Sequence, residues 1–346
     1  GSPRYMGEQV EMAEKETAAT ETTKTCSYVR SDGSRCPGAV EDLERGLCFW
    51  HDSETSKEGP DVRSRLEAWA EKGESMEGFQ LRYAALEGLK LSNSRNRDMR
   101  RANLFRANLQ GASLFSVDLR SSELLKANLA GANLNEALLQ DAELLGINID
   151  GARLERVEWG EHCINEQQAI QAERDGNRDE SRAKYKEAEQ VYRTLRRAFA
   201  ARAEPRQAGL FFRREMTILR RLMPRWSGNR AWFKLVDLTC AYGESPPRVI
   251  ISALVLNLTC AVWYYFAGVM GPDGPVKFNP SAGLGTNVEH FFECVYYSIV
   301  TFTTLGYSDE ARQTWVVRPI ASAQAFIGAF MMALFVVVFG KKMTRT

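Results

Sequence analysis

The sequence predicts a multidomain membrane protein that combines a stacked-repeat β domain, an α-helical connector and an all-α domain with two membrane spans around a short third helix. Three observations predict this fold class. Two long uncharged apolar runs follow Pro246, a five-residue period fills the middle of the chain, and most charged residues precede the first run. The averages over 346 residues, a formal charge of +1 and 44% hydrophobic residues, conceal this asymmetry.

Composition and pattern divide the chain into seven segments. The Glu-, Thr- and Ala-rich tail is expected to be disordered, and we expect no cleaved signal peptide. In chain order, the segments are a tail with a cloning scar (1–24), a metal-binding module (25–55), a helical segment before the repeats (56–98), the repeats (99–159), a helical hairpin connector (160–224), an interfacial helix (225–245) and the two-span domain (246–346).

The two apolar runs, Pro247–Met270 and Pro319–Phe339, are long enough to cross a hydrocarbon core of ~30 Å as helices. Both exceed the usual length of a buried helix in a soluble domain, which disfavours the alternative of two core helices. Basic residues precede the first run and follow the second. In the loop between Gly271 and His290, by contrast, Lys277 is the only lysine or arginine. The positive-inside rule therefore predicts that both termini are cytoplasmic.

The stretch between the spans, residues 287–310, begins as an apolar helix of about four turns, which is too short to span. Such a segment is expected to be buried in protein or to line water. It ends in Thr304-Leu305-Gly306-Tyr307-Ser308-Asp309, which resembles the K⁺-channel signature, whose backbone carbonyls replace an ion's hydration shell. The order of span, short helix, signature and second span resembles the two-transmembrane-helix K⁺-channel pore family over about residues 246–343.

This resemblance implies a homotetramer, because one chain supplies only one wall of a pore, and it implies K⁺ as the permeant cation. The carbonyls of residues 304–307 would face the axis, with Asp309 at the outer mouth, and the pore helix would be re-entrant. Gly328 stands where the family often has a glycine hinge. Below it, Met332, Val336 and Phe339 recur at helical spacing and form a candidate gate, with packing against the first span as the alternative.

Two departures from the family pattern leave selectivity open. Family members usually carry glycine where this chain has Ser308, and a left-handed conformation costs other residues roughly 1–2 kcal/mol. Some members also have a pore-helix glutamate that pairs with the aspartate, where this chain has Val300; Tyr296 could instead hydrogen-bond Asp309. The alternatives are a weakly selective cation channel and a membrane-anchored scaffold with a poorly conducting pore.

From about Met99 to Leu154 the chain repeats every five residues, with a central leucine and a small residue two positions earlier. Neither a helix nor a flat strand has this period. The pattern resembles the pentapeptide-repeat family, which implies a right-handed quadrilateral β-helix of about three coils, each rising by ~4.8 Å. Stacked repeats are scaffolds by default, so an assembly, sensing or gating module is expected. Acidic and basic residues nearly balance here, which argues against DNA mimicry, and no nucleic-acid partner is expected.

Cys26, Cys36, Cys48 and His51 have the composition of a structural Zn²⁺ site with three thiolates and one imidazole. The segment resembles short Cys₃His zinc modules. The alternative is a polar tail with incidental cysteines. The remaining cysteines are interpreted as small buried residues, and the pair His162 and Cys163 as structural.

Two helical runs, broken at Ala203-Glu204-Pro205, predict the hairpin connector. Tryptophans among basic residues in 225–245 suit a helix lying in the inner membrane interface, with a plain cytoplasmic helix as the alternative. The chain shows no nucleophile–base arrangement, phosphate-cradling glycine loop or open metal site, so an enzyme is disfavoured. We expect a two-pass membrane protein whose partners are lipid, monovalent cations and its own copies.

Overall fold

The computed structural model describes residues 25–271, 274–305 and 315–343. The chain divides into two compact units, Gly1–Thr194 and Leu195–Thr346. The expectation of a disordered tail at residues 1–24 falls outside the described residues.

The first unit begins with a small module that precedes helix α1 (Val62–Glu71). Strand β1 (Val40–Asp42) pairs antiparallel with β2 (Leu47–Cys48) across a tight turn. The turn ends at Gly46, whose φ of 66° lies in the left-handed region that glycine adopts freely. The pairing brings Cys48 of β2 into the module's interior, where Cys26 and Cys36 are also buried.

The repeats stack into turns of a coil whose successive layers are joined by parallel β-bridges. Asn103 pairs with Glu123 and Glu123 with Glu143, so one full turn contains four five-residue repeats. The central leucines and the small residues two positions before them are buried throughout this region. The small residue is needed because the large side chains from all four sides converge on one narrow interior.

The coil begins at Gln80, so the predicted start at Met99 is one turn late. Gln80 pairs with Asn103, whereas Asn103 pairs with Glu123, and the first turn is therefore three residues longer than the next. The extra residues fall between Leu91 and Met99 and break the five-residue register in the sequence. The first turn also buries larger side chains, such as Phe79, where later turns bury alanine.

After the coil, the first unit continues with helix α2 (Ile164–Arg174) and most of α3 (Arg178–Ala201). Buried Tyr192 of α3 donates a hydrogen bond to Glu166 of α2 at 2.6 Å and accepts one from the backbone N–H of Cys163 at 3.0 Å. Both Cys163 and Glu166 are buried, which agrees with a structural role for this cysteine.

The second unit starts with the end of α3, followed by α4 (Pro205–Leu222) and α5 (Gly228–Cys240). Phe199 of α3 stacks on Phe211 of α4 at a centroid distance of 5.5 Å. Next to this stack, Arg196 of α3 contacts the buried Glu215 of α4 at 2.6 Å. The two helices therefore pack against each other, and the chain breaks between them before Pro205.

Two helices of this unit, α6 (Pro246–Ala267) and α8 (Val317–Met343), have the length and composition of membrane spans. In the most apolar 18-residue stretch of each helix, only 22% is buried by other parts of the chain. The core helix of a soluble domain would be mostly buried, so this exposure favours surfaces that meet lipid or other subunits. A short hairpin of β3 (Val269–Gly271) and β4 (Gly274–Val276) follows α6.

Helix α7 (Leu284–Phe302) has 19 residues, so it starts earlier and is longer than the four turns predicted from the sequence. It packs against both spans and joins two apolar clusters. One cluster contains Tyr297 of α7 together with Tyr264 of α6 and Val317 of α8. The other contains Phe302 at the end of α7 together with Val249 near the start of α6 and Met331 in the middle of α8.

Gly328 is the closest approach of α8 to the end of α7. A methyl group built at Gly328 would lie 2.2 Å from the carbonyl oxygen of Phe302 and 3.0 Å from its carbonyl carbon. Real side chains do not occupy such distances, so only glycine lets these two backbones meet as they do.

Gly328→Ala is therefore expected to destabilise the second unit by about 1–3 kcal/mol, the range for overpacking a close contact. The matched control is Gly340→Ala in the same helix, because no atom lies within 4 Å of a methyl group at that position. Thermal unfolding of the purified chains in detergent measures the difference. Equal midpoints for the two variants would contradict the packing role of Gly328.

Candidate functional site

The K⁺-signature-like string starts where α7 ends, and its first two residues are described. The backbone N–H of Thr304 donates to Thr301 at 3.1 Å, and that of Leu305 donates to Val300 at 3.3 Å, which closes the helix. Thr304 has a φ of 56°, in the left-handed region, and Leu305 is 76% exposed in the single chain. Residues 306–309 of the predicted filter lie outside the described residues.

A cluster of polar side chains joins α7 to both spans on the N-terminal side of this string; we name Asn257, Tyr264, Ser298 and Gln324 the polar node. Asn257 is half-buried and the other three are buried. The Gln324 amide donates to Ser298 Oγ at 2.7 Å and to the Ser298 carbonyl at 3.1 Å. Tyr264 OH donates to Gln324 Oε1 at 2.7 Å. Ser298 Oγ donates to the Asn257 carbonyl at 2.8 Å.

The polar node is a feature that the sequence interpretation missed. Gln324 is 2% exposed, while Ser298 and Tyr264 are fully buried. A signal was present, because Asn257 and Gln324 are polar residues inside the two apolar runs, and such residues in membrane spans are rare and usually functional.

The candidate gate residues lie on α8, which continues as one helix from Val317 to Met343, through Gly328. Met332, Val336 and Phe339 are 37%, 69% and 45% exposed in the single chain. Val336, with the largest exposure, is thus open in the single chain, whereas Gly328 is buried against α7.

The four predicted metal ligands of the first unit come together in one buried cluster, with all ligand atoms within 4.8 Å of one another. Cys36 Sγ and Cys48 Sγ lie 3.8 Å apart. His51 Nδ1 lies 3.5 Å from Cys26 Sγ and 3.3 Å from Cys48 Sγ. Two sulfurs on a tetrahedral zinc, each ~2.3 Å from the metal, stand about 3.8 Å apart, so this donor set fits Zn²⁺.

The environment of the cluster suits thiolates and a neutral imidazole. His51 Nε2 lies 2.9 Å from the carbonyl oxygen of Glu77, which can only accept, so Nε2 carries the hydrogen and Nδ1 keeps a free lone pair for a metal. Backbone N–H groups point at two sulfurs, Gly38 to Cys36 at 3.4 Å and Cys48 to Cys26 at 3.4 Å. Such hydrogen bonds favour the charged form of sulfur.

The pKa values of the thiols reflect their mutual contact and their burial. The hydrogen bond with Cys36, followed by burial, raises the pKa of Cys48 to about 12. The same hydrogen bond lowers the pKa of Cys36. Burial raises the pKa of Cys26. Metal binding by this set therefore has to release protons.

The cysteine–histidine cluster is attached to the start of the coil. Trp50 stacks on Phe79 at a centroid distance of 5.1 Å, with the rings 1° from parallel. The backbone N–H of Gln80 donates to the Trp50 carbonyl at 2.7 Å. The buried carboxylate of Glu77 accepts two hydrogen bonds from Ser31 at 2.9 Å. The module thus covers the first turn of the coil.

Both recognised regions match family models. Residues 251–345 match the model described as an ion channel, and residues 80–120 and 122–156 match the model of pentapeptide repeats, in eight copies. No curated protein matches this chain.

Three solved pentapeptide repeat proteins are similar to part of the chain. Rfr23 from the cyanobacterium Cyanothece 51142 is 32% identical over 23% of this chain and 52% of its own, with a TM-score of 0.22. HetL from Nostoc sp. strain PCC 7120, involved in heterocyst differentiation regulation, is 32% identical over 22% of this chain and 37% of its own, with a TM-score of 0.11. A protein from the Arabidopsis thaliana thylakoid lumen is 22% identical over 33% of this chain and 81% of its own, with a TM-score of 0.15.

The chain spans about half the length of the first of these structures and about a third of the second. The family matches and the two apolar helices make this a membrane protein. The chain combines an ion channel domain with a pentapeptide-repeat domain, and neither family is enzymatic.

Proposed function

We propose that this chain is one subunit of a tetrameric K⁺-permeable channel whose filter is Thr304-Leu305-Gly306-Tyr307-Ser308. The observation that carries the proposal is the position of this string, directly after a helix packed between two spanning helices of an ion channel domain. A chance match to the signature would not be expected at that place in the chain.

The packing of α7 supports a re-entrant pore helix. Tyr297 shares a cluster with Val317 at the start of α8, whereas Phe302 shares one with Met331. Val317 and Met331 are about 21 Å apart along the helix, at 1.5 Å per residue. The chain between Phe302 and Val317 therefore has to return to the side from which α7 enters, which is the path of a re-entrant segment.

The direction of α7 suits cation conduction. Its C-terminal end, with the partial negative charge of the helix dipole, lies at the level of Met331 in the second span, and this favours a cation nearby. One chain supplies one filter wall, so four chains are needed to surround an ion. Exposed apolar side chains on both spans, including Leu254, Phe326 and Phe330, are consistent with burial by lipid and neighbouring subunits.

The positive-inside rule supports cytoplasmic termini, and it places the repeats in the cytoplasm as an assembly, sensing or gating module. We propose that the coil is the right-handed quadrilateral β-helix of the pentapeptide-repeat family, which the bridges between residues twenty apart support. Helix α5 would lie in the inner interface, since Trp232, Leu235 and Leu238 are 59%, 49% and 70% exposed.

We further propose that Cys26, Cys36, Cys48 and His51 hold one structural Zn²⁺. The separations of the ligand atoms and the hydrogen bond from His51 to Glu77 support it. Four protein ligands leave no open position, so the ion would crosslink the module and support the first turn of the coil rather than catalyse a reaction.

Ion flux tests the channel directly. Liposomes containing the purified chain are expected to pass K⁺ faster than Na⁺, and the chain in detergent is expected to have the light-scattering mass of four copies. Ser308→Gly is expected to sharpen the preference for K⁺, because glycine adopts a left-handed conformation without the cost that serine has. Reversal potentials under bi-ionic K⁺/Na⁺ conditions give the permeability ratio.

Three results separate the alternatives. Flux no greater than through empty liposomes would reject the channel and leave the membrane-anchored scaffold. Equal K⁺ and Na⁺ flux through a tetramer identifies a weakly selective channel. A Ser308→Gly variant no more selective than the wild type shows that serine is accommodated in the filter.

Metal analysis tests the zinc site. The wild-type chain is expected to carry one zinc ion per chain, and Cys36→Ala is expected to lose it, because a tetrahedral site with three protein ligands binds zinc far more weakly. The matched control is Cys163→Ala, which removes a buried thiol of the same unit that lies outside the cluster. Equal zinc content in Cys36→Ala and Cys163→Ala would count against the site.

A charge on the candidate gate tests its position. Val336→Asp is expected to raise basal K⁺ flux if this side chain faces the axis, because a charged ring prevents closure of the pore by dewetting. Val337→Asp is the control, since its side chain is equally exposed but lies on an adjacent face of α8. Unchanged flux in a fully assembled Val336→Asp tetramer would refute the gate.

A further inference from the structure

The polar node has three buried polar side chains and one that is half-buried, and the proposed filter and gate use none of them. It takes one residue from α7, Ser298, one from α8, Gln324, and two from α6, Asn257 and Tyr264. Burying polar groups within a membrane is unfavourable unless they find partners, and two spans could pack with apolar residues alone. The presence of three buried polar side chains at one place therefore calls for a role.

Gln324 is the centre of the node because it uses both ends of its amide. Its oxygen accepts the hydrogen bond from Tyr264, and its nitrogen donates to the hydroxyl and the carbonyl of Ser298. The nitrogen also lies 3.3 Å from Asn257 Oδ1. One side chain thus connects all three helices, and its contact with the Ser298 carbonyl holds the backbone of α7 as well as a side chain.

Two contacts between α8 and α7 lie one helical turn apart on each helix. Gln324 hydrogen-bonds Ser298, and four residues later Gly328 approaches the carbonyl of Phe302, four residues after Ser298. Matched spacing of this kind holds α7 against both sliding and rotation, because a displacement that relieves one contact breaks the other. The position of Phe302 at the end of α7 therefore determines the position of Thr304, the first residue of the proposed filter.

We propose that Gln324 is a positioning residue for the filter, acting through Ser298 to fix the height and rotation of the C-terminal half of α7. This inference rests on the proposed function as a cation channel. In some members of the family that the chain resembles, a pore-helix glutamate pairs with the aspartate after the filter, and Val300 stands at the position of that glutamate here. In this chain, side chains of the two spans hold helix α7 at Ser298 instead.

The test is the permeability ratio of reconstituted channels under bi-ionic K⁺/Na⁺ conditions. Gln324→Leu removes both ends of the amide at similar volume, and it is expected to raise the permeability of Na⁺ relative to K⁺ by about threefold to tenfold. Tyr264→Phe and Ser298→Ala each remove one hydroxyl of the node, and each is expected to shift the ratio in the same direction by a smaller factor.

Thr259→Val is the matched control. Its hydroxyl lies on α6, within one turn of Asn257, but donates only to the Val255 carbonyl of its own helix, at 2.7 Å, and the residue is exposed. Removing this hydroxyl changes the polarity of the same span without touching α7. The control is therefore expected to keep the wild-type permeability ratio.

The outcomes separate the inference from the function on which it rests. If neither wild type nor Thr259→Val conducts, the proposed channel is wrong. If both conduct and Gln324→Leu conducts with the wild-type ratio, the positioning role is wrong. If Gln324→Leu does not assemble, Tyr264→Phe and Ser298→Ala are the variants that test the inference. A wild-type K⁺/Na⁺ permeability ratio in both of them would overturn it, even if either variant is less stable to heat.

Discussion

A lipid bilayer offers no hydrogen-bond partners, so a helix that ends within it needs protein or water around its last backbone carbonyls. Helix α7 meets this constraint by packing between the two spans, with its middle against Tyr264 and its end against Met331. The close approach at Gly328 and the polar node both serve this packing. The position of the filter-like string follows from it, because that string begins where α7 ends.

The same constraint explains why glycine and glutamine occur in a span that is otherwise apolar. Glycine lets two backbones approach where a methyl group would collide with the Phe302 carbonyl. Glutamine accepts a hydrogen bond from Tyr264 and donates to both the hydroxyl and the backbone carbonyl of Ser298. A hinge function for Gly328 would have to break the contact with α7, so bending of α8 and displacement of the pore helix would be coupled events.

In the first unit, the exposed end of a coil presents unpaired backbone groups and an open apolar interior. The cysteine–histidine module covers this end, with Trp50 on Phe79 and the Trp50 carbonyl paired to Gln80. His51 connects the two parts through its hydrogen bond to Glu77, whose buried carboxylate also holds Ser31. A metal at the cluster would therefore stabilise the start of the coil as well as the module.

The sequence by itself determined the features that depend on local pattern: two spanning runs, the five-residue repeat, the helical hairpin and a ligand set whose four members come together in the structure. Periodicity and composition suffice there, because each element is specified by residues close in the chain. Only the tertiary structure decided that the coil starts at Gln80, since three extra residues hide the period, and that Gln324 joins Ser298, Asn257 and Tyr264. Those partners are far apart in sequence, and their contacts exist only once α7 is packed between the spans.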